Sequence, residues 1–430
     1  MLIELKLMAN RAETSILLIA EPSGVIRELP GFLPLGQSGT EFREPREDEV
    51  IPLPPGGHLY FLPQRPPLAR KRGKLIETEG FAVAAILPQG YTRTLLPAHR
   101  RPKEQEWLPY FGYTGCFLKN DQIYVAALAT NADPKWDPKN FDPEKLSNKI
   151  EARIKKNPEN RALKQISLCA TDYRCYTAAN VFFERWEGAL PVSPSCNSVC
   201  RGCISKADDP GPPSPQERFN FVPTLDECLY IVRNHFSKAK EPIISFGQGC
   251  EGEPSLQVDL IENVIKTLRA EFPKGQFNIN TNGSLPQNME RFYRAGLDSM
   301  RVSLNSAQES WYNRYYRPKH YSFQDVKETI RLGKEHGLFV SLNLLCFPGV
   351  TDSPQETEVF FRFLDQLNPD LIQLRNLNID PWCYLEECIQ EEVSGTGMNS
   401  WINLIKKEFP KIKIGNFTPY VKANTSALTA

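Results

Sequence analysis

Three cysteines fall within eight residues, in the run Cys196-Asn-Ser-Val-Cys200-Arg-Gly-Cys203. Thiolates this close can converge on one inorganic centre, and the Pro- and Gly-bearing segment that follows can wrap it. Three ligands leave one position open. On a [4Fe–4S] cube that position is an iron without a protein ligand, free to bind and activate something. Structural zinc asks for four ligands, more often as paired C-x2-C units. A zinc- or iron–sulfur-stabilised binding or electron-transfer protein is the rival use of the same residues.

The remaining cysteines, out of eleven, are scattered. Cys346 ends a candidate strand and is a candidate hydrogen donor or radical relay, with a buried inert thiol as the commoner alternative. Cys250 carries the same pair of readings, and Cys228 lies on an apolar helical stripe. Cys116, Cys169, Cys175, Cys383 and Cys388 form no tight group, so no auxiliary cluster is expected. The five histidines show no metal spacing.

Strands alternate with helices from about Leu190 onward. The strand candidates are Ala189–Ser193, Pro242–Phe246, Gln276–Asn282, Ser299–Asn305, Leu338–Cys346, Leu371–Leu377 and Lys411–Phe417. Thr224-Leu-Asp-Glu227 reads as a capping box opening one helix, and Ser353-Pro-Gln-Glu356 as another with Pro at the first helical position. Such alternation implies parallel strands with right-handed crossovers. The expected fold is α/β, a partial (β/α)6 TIM-like barrel, preceded by a smaller β-rich N-terminal domain.

The strands carry polar residues at period two: Asn278, Asn280, Asn282; Arg301, Ser303, Asn305; Ser341, Asn343; Gln373, Arg375. Their neighbours Phe277, Ile279, Val302, Leu304, Leu342, Leu344, Ile372 and Leu374 are apolar. Helices must cover the apolar side, so the polar side faces inward. A closed eight-stranded barrel fills its interior with Val, Ile and Leu. An unpaired buried amide costs about 1–3 kcal/mol. The pattern therefore predicts an open barrel holding a polar ligand; an amphipathic sheet with one wet face is the alternative.

The C-x3-C-x2-C spacing resembles that of the radical S-adenosylmethionine (SAM) enzymes, and other segments support the resemblance in order. Gly252-Glu253-Pro254 looks like the end of the family's G-G-E-P motif, with Glu251 standing where the first glycine belongs. Thr281-Asn282-Gly283 is similar to the T-N-G segments that end the third strand. Arg301-Val-Ser-Leu-Asn305 resembles the R-V-S-L-D segment of the branch containing the molybdenum-cofactor GTP cyclase. The resemblance covers about Ala189 to Phe417. It implies a [4Fe–4S] cluster on Cys196, Cys200 and Cys203, and SAM held with the help of Gly252, Glu253, Pro254, Asn282, Ser303 and Asn305. Arg314 or Arg317 would meet the SAM carboxylate. By the same likeness the reduced cluster cleaves SAM to a 5′-deoxyadenosyl radical, which abstracts hydrogen from a substrate. Implied partners are that unidentified substrate and an electron donor such as flavodoxin or ferredoxin.

The first 131 residues are dense in Pro and read as short strands, at Ser15–Ala20, Gly57–Leu62, Phe81–Leu87 and Gln122–Ala129. A connector over 132–188 is partly helical, with a helix expected at Pro143–Lys155. The barrel takes 189–417 and a tail takes 418–430. The β-rich domain offers a docking surface, which favours a peptide or protein substrate over a metabolite or nucleotide. Arg70–Lys74 is a short basic run of the kind found in solvated loops. Lys+Arg and Asp+Glu both number 51, so no general pull on nucleic acid or anionic membrane is expected. No apolar stretch is long enough to span a bilayer, and Met1–Ala20 does not read as a secretory signal. A reducing, cytoplasmic setting and an oxygen-sensitive protein are the expectations.

Overall fold

Alternation of polar and apolar residues along each strand dictates a sheet with one helix-covered face. The computed structural model describes residues 15–101, 106–131, 133–206 and 211–422. Most of the stretch read as lacking a secretory signal (residues 1–14) and the end of the tail (423–430) lie outside the described residues. Seven parallel strands run in chain order: Glu187–Ala189, Ile243–Phe246, Gln276–Thr281, Ser299–Leu304, Phe339–Cys346, Leu371–Asn376 and Lys413–Gly415. The first and seventh are the sheet's edges, so the barrel is open and holds one strand more than six units give.

Phe277, Ile279, Val302, Leu304, Leu342, Leu344, Ile372 and Leu374 are each 1% exposed or less beneath the helices. Register places the polar residues together on the other face. Ser245 pairs with Asn278, Asn278 with Ser299, Arg301 with Ser341, Ser303 with Asn343 and Asn343 with Gln373. Much of this stripe satisfies itself. Ser245 Oγ donates to Glu187 Oε1 at 2.6 Å, Asn278 Nδ2 to Ser245 Oγ at 3.0 Å, and Ser299 Oγ to Asn278 Oδ1 at 2.9 Å. The interior hydrogen bonds that the sequence argument assigned to a ligand are thus met in part by the protein itself.

The first strand lies upstream of its expected position at Ala189–Ser193. Beyond Leu190 the amides of Val192 and Ser193 donate to the Glu251 carboxylate, at 2.8 and 2.9 Å, and Pro191 has no amide to give. The helix Leu225–Lys238 has its capping box, Thr224 with Glu227. The helix Pro354–Leu367 has only half of one. Ser353 accepts from the Glu356 amide, while the Glu356 carboxylate accepts from Ser306 Oγ at 2.6 Å and Ala307 N at 2.7 Å.

The N-terminal region is antiparallel, its main seven-stranded sheet built around Ile16–Ala20, Phe81–Ile86 and Thr114–Lys119. Three helices follow, Pro143–Lys156, Arg161–Thr171 and Tyr176–Phe183. One apolar core runs from Leu62, Ala84 and Leu96 through these helices into the barrel. Polar joints reinforce it beside the C-terminal ends of the fifth and sixth strands. The buried Arg93 donates to Leu377 O at 2.7 Å and to Tyr113 O at 3.0 Å. Gly39 N donates to Pro348 O, and a Cβ on Gly349 would lie 1.8 Å from Gly39 N, so only glycine allows this approach. Past the seventh strand, Thr418 Oγ1 donates to Glu187, and Gln276 exchanges hydrogen bonds with Pro419 O and Val421 N.

Candidate metal centre

The cysteine loop leaves the first strand and is fastened from every side. Arg201, inside the motif, is 2% exposed and meets Glu387 through two bonds, Nε–Oε2 at 2.5 Å and Nη2–Oε1 at 2.9 Å. Burial alone would pull its pKa down; the Glu387 hydrogen bonds together with the charges of Glu387 and the neighbouring Cys383 and Tyr110 raise it. Tyr110 Oη, from the N-terminal region, donates to Arg201 O at 2.6 Å, and Arg201 N donates to Tyr315 O at 2.8 Å.

The Gly-Glu-Pro segment docks directly on this loop. Gly252 N donates to Ser193 O at 2.7 Å and Glu253 N to Ser195 O at 2.8 Å. A Cβ on Gly252 would lie 1.9 Å from Ser195 O, which explains a glycine here. Glu253 turns its buried carboxylate to the third strand's end, accepting from Thr281 Oγ1 at 2.6 Å, Asn282 N at 2.7 Å and Ser255 N at 3.1 Å. Pro254 is buried at the first position of the short helix that follows. Glu251, the departure from the glycine pattern, is also buried. It accepts from Gln248 N at 2.5 Å besides Val192 and Ser193, and burial pushes its pKa up to about 7 against those donors.

Asn282 reaches the loop itself, its Nδ2 donating to Asn197 Oδ1 at 2.8 Å and Ser198 Oγ at 3.0 Å. Ser303 is half-buried on the inward face, in register with Asn343. Asn305 sits just past the fourth strand, 1% exposed. Its Nδ2 donates to Tyr384 Oη and Trp311 O, and its Oδ1 is buried without a partner. Arg314 donates to Ile389 O at 2.7 Å and Arg317 pairs with Glu387 at 3.2 Å, so both tie their helix to the segment between the sixth and seventh strands. Cys346 lies on the outward face with Leu342 and Leu344, because only 341, 343 and 345 share the inward parity. Its thiol is 1% exposed and burial raises its pKa to about 12, as for an inert core cysteine.

Several site residues escaped the sequence reading. Arg218 Nη2 donates to Cys203 Sγ at 3.3 Å, a cation beside one of the motif's sulfurs. Tyr312, Tyr315, Tyr316 and Tyr321 crowd behind Cys200; Tyr321 shares a hydrogen bond with Ser198 at 2.7 Å. The run Trp311-Tyr-Asn-Arg-Tyr-Tyr316 was the only signal for the first three, and its helical spacing reads equally well as core.

The residues present fit the iron–sulfur group. All three thiols are free and half-buried. Burial raises the pKa of Cys196 to about 11 and that of Cys200 further, a penalty on the bare thiolate that a cationic metal relieves. Among the described residues no three His, Cys, Asp or Glu side chains converge on a single ion position. A cube does not ask for that, since each cysteine binds its own iron. Structural zinc usually takes four ligands, one more than this motif supplies.

Sequence comparison with known proteins agrees. The sequence profile of the radical SAM superfamily matches residues 190–361. Two GTP 3′,8-cyclases, from Stenotrophomonas maltophilia strains K279a and R551-3, are each 28% identical over 165 residues. That alignment covers 38% of this chain and 47% of the relatives, so the chain spans about half the length of the curated relatives it matches. Among solved structures, Streptococcus suis SuiB bound to its precursor peptide SuiA matches at a TM-score of 0.39 with 12% identity, covering 59% of this chain and 54% of that one. A radical SAM methyltransferase from Sphaerobacter thermophilus gives 0.38 and 15%, covering 54% and 66%.

Proposed function

We propose that this chain, whose residues 190–361 match the radical SAM superfamily, is an enzyme that abstracts hydrogen from a substrate held inside the open barrel. The superfamily's cofactors are a [4Fe–4S] cluster and SAM. When bound, they supply reductive cleavage of the SAM sulfonium and the hydrogen-atom abstraction that follows. The observation that carries the reading is the docking of Gly252–Pro254 onto the Cys196–Cys203 loop through Ser193 O and Ser195 O.

In this reading Cys196, Cys200 and Cys203 hold the cluster, and Arg218 offsets the negative charge at Cys203. Glu251, Glu253 and Asn282 position the loop. The backbone of Gly252–Pro254, with Ser303 and Asn305 at the fourth strand's end, lines the SAM site. Arg201 and the tyrosines close the far side of the cluster to water. A reductant of the flavodoxin or ferredoxin type supplies the electron. A reducing, cytoplasmic setting and an oxygen-sensitive cluster belong to this reading, and all eleven cysteines are free thiols. Among the described residues no helix is long and apolar enough to cross a membrane. The N-terminal region, read from sequence as a surface for a peptide or protein substrate, is committed to the barrel through Arg93, Gly39 and the shared core. We favour a small molecule because the inward face opens on a cavity of about 320 Å³.

The test is anaerobic incubation of the iron-loaded, dithionite-reduced protein with SAM alone. Slow release of 5′-deoxyadenosine supports the enzyme. Its absence from a fully loaded, reduced protein argues for an electron-transfer or structural role.

A further inference from the structure

The inward stripe opens on a cavity of about 320 Å³, bounded by the first, fourth and sixth strands, the loop Gln248–Cys250, and Trp136 and Tyr176 of the connector. Ile204, next to Cys203, lines it too, so the space reaches the cysteine loop. The size suits a small ligand. Three charged side chains line it, Arg301, Arg375 and Glu187, leaving one net positive charge.

The two arginines are the anomaly. Interior guanidinium groups are ordinarily matched by carboxylates. Among the described residues neither Arg301 nor Arg375 has an ion pair; both point a nitrogen at one neutral acceptor, Gln373 Oε1, at 3.1 and 3.3 Å. Arg301 Nε and Gln373 Nε2 are buried without a partner. Glu187 has its Oε1 engaged by Ser245 and Thr418. Burial lowers the pKa of both arginines, that of Arg375 to about 9, with Arg301 adding repulsion and Glu187 opposing it. Both remain cationic at neutral pH. The cavity thus holds two adjacent planar donor forks, a spare positive charge and unfilled donors, which is what a bidentate oxyanion completes.

We propose that Arg301 and Arg375 bind the oxyanion, a carboxylate or a phosphate, of a small-molecule substrate inside the barrel. This rests on the radical SAM reading above and names the substrate's chemical class. It also gives Glu187 a role, as the countercharge that keeps the empty pair tolerable.

The experiment uses the anaerobically purified holoenzyme and titration calorimetry with two probes, propionate and inorganic phosphate, at ionic strength fixed with chloride. Saturable binding of one probe is expected, and which one binds distinguishes a carboxylate from a phosphate. Arg375→Gln should weaken it about tenfold or more, the loss of one charge-assisted interaction. Arg375→Lys should restore part of the affinity. Glu187→Gln should tighten binding, a gain that misfolding cannot mimic. Failure of the wild type to bind either probe, or equal affinity in Arg375→Gln, overturns the proposal. So does mutual exclusion of SAM and probe, because the pair would then belong to the cofactor's own site. Release of 5′-deoxyadenosine without probe binding sinks this inference alone. Probe binding without that release supports the anion site and refutes the radical reading.

Discussion

Replacing Glu387 with alanine isolates what holds the cysteine motif in shape. Arg201 lies between Cys200 and Cys203, 2% exposed, and both of its bonds to a carboxylate go to Glu387. Removing the carboxylate strands a buried guanidinium. Breaking a fully buried pair from one side costs about 3–5 kcal/mol. Glu387 is 26% exposed, so water can reach part of the vacated site, and about 2–3 kcal/mol is the expected loss. Glu387→Gln keeps one acceptor and should lose less. The strain falls on the cysteine loop proposed to carry the cluster, so iron should leak before the rest of the fold yields. The assay is anaerobic thermal melting alongside iron and sulfide content after gel filtration. The expected result is a lowered melting temperature with faster iron loss, graded Ala over Gln. A melting temperature within about 1 °C of wild type, together with full iron retention, refutes the argument that this pair anchors the loop.

Gly252→Ala should cost about 2 kcal/mol or more and impair cluster loading, because its Cβ would lie 1.9 Å from a backbone oxygen that cannot rotate away. Gly112→Ala, which meets only ordinary contacts at 3.5 Å, is the control in the same melting assay. His235 is buried, and desolvation lowers its pKa from 6.5 to about 4, so the folded state disfavours its charged form. Stability from this residue is present above pH 6.5 and is lost as pH falls towards 4, on the order of 3 kcal/mol across the window. His235→Gln, keeping a donor for Trp186 O, should flatten the denaturation midpoint between those values; an unchanged slope refutes the assignment.

The parts that sequence revealed are those written in short-range spacing. Cys196, Cys200 and Cys203 are close in the chain, and the polar stripe repeats every second residue, so fold class and inward face follow from local pattern. Cys346 could have been placed outward by the same parity, since 341 and 343 already defined the inward set. What stayed hidden depends on distant pairings. Glu387 meets Arg201 across 186 positions, and Arg218 reaches Cys203 from a loop without periodicity. Glu251 was seen as a departure from a glycine motif, but its use as an acceptor for Val192 and Ser193 needed the fold. Asn305 shows the converse. Its place at the end of the fourth strand was legible, yet its partners Trp311 and Tyr384 come from elements whose packing a pattern does not specify.

The central claim is that one cluster sits on Cys196, Cys200 and Cys203 and is the seat of SAM chemistry. The most direct measurement is iron and sulfide content, with 5′-deoxyadenosine release, in the triple alanine variant after anaerobic reconstitution. Loss of nearly all iron and of SAM cleavage, in a protein that still melts cooperatively, is the predicted result. Retention of about four irons per chain would contradict it and place the cluster on other cysteines.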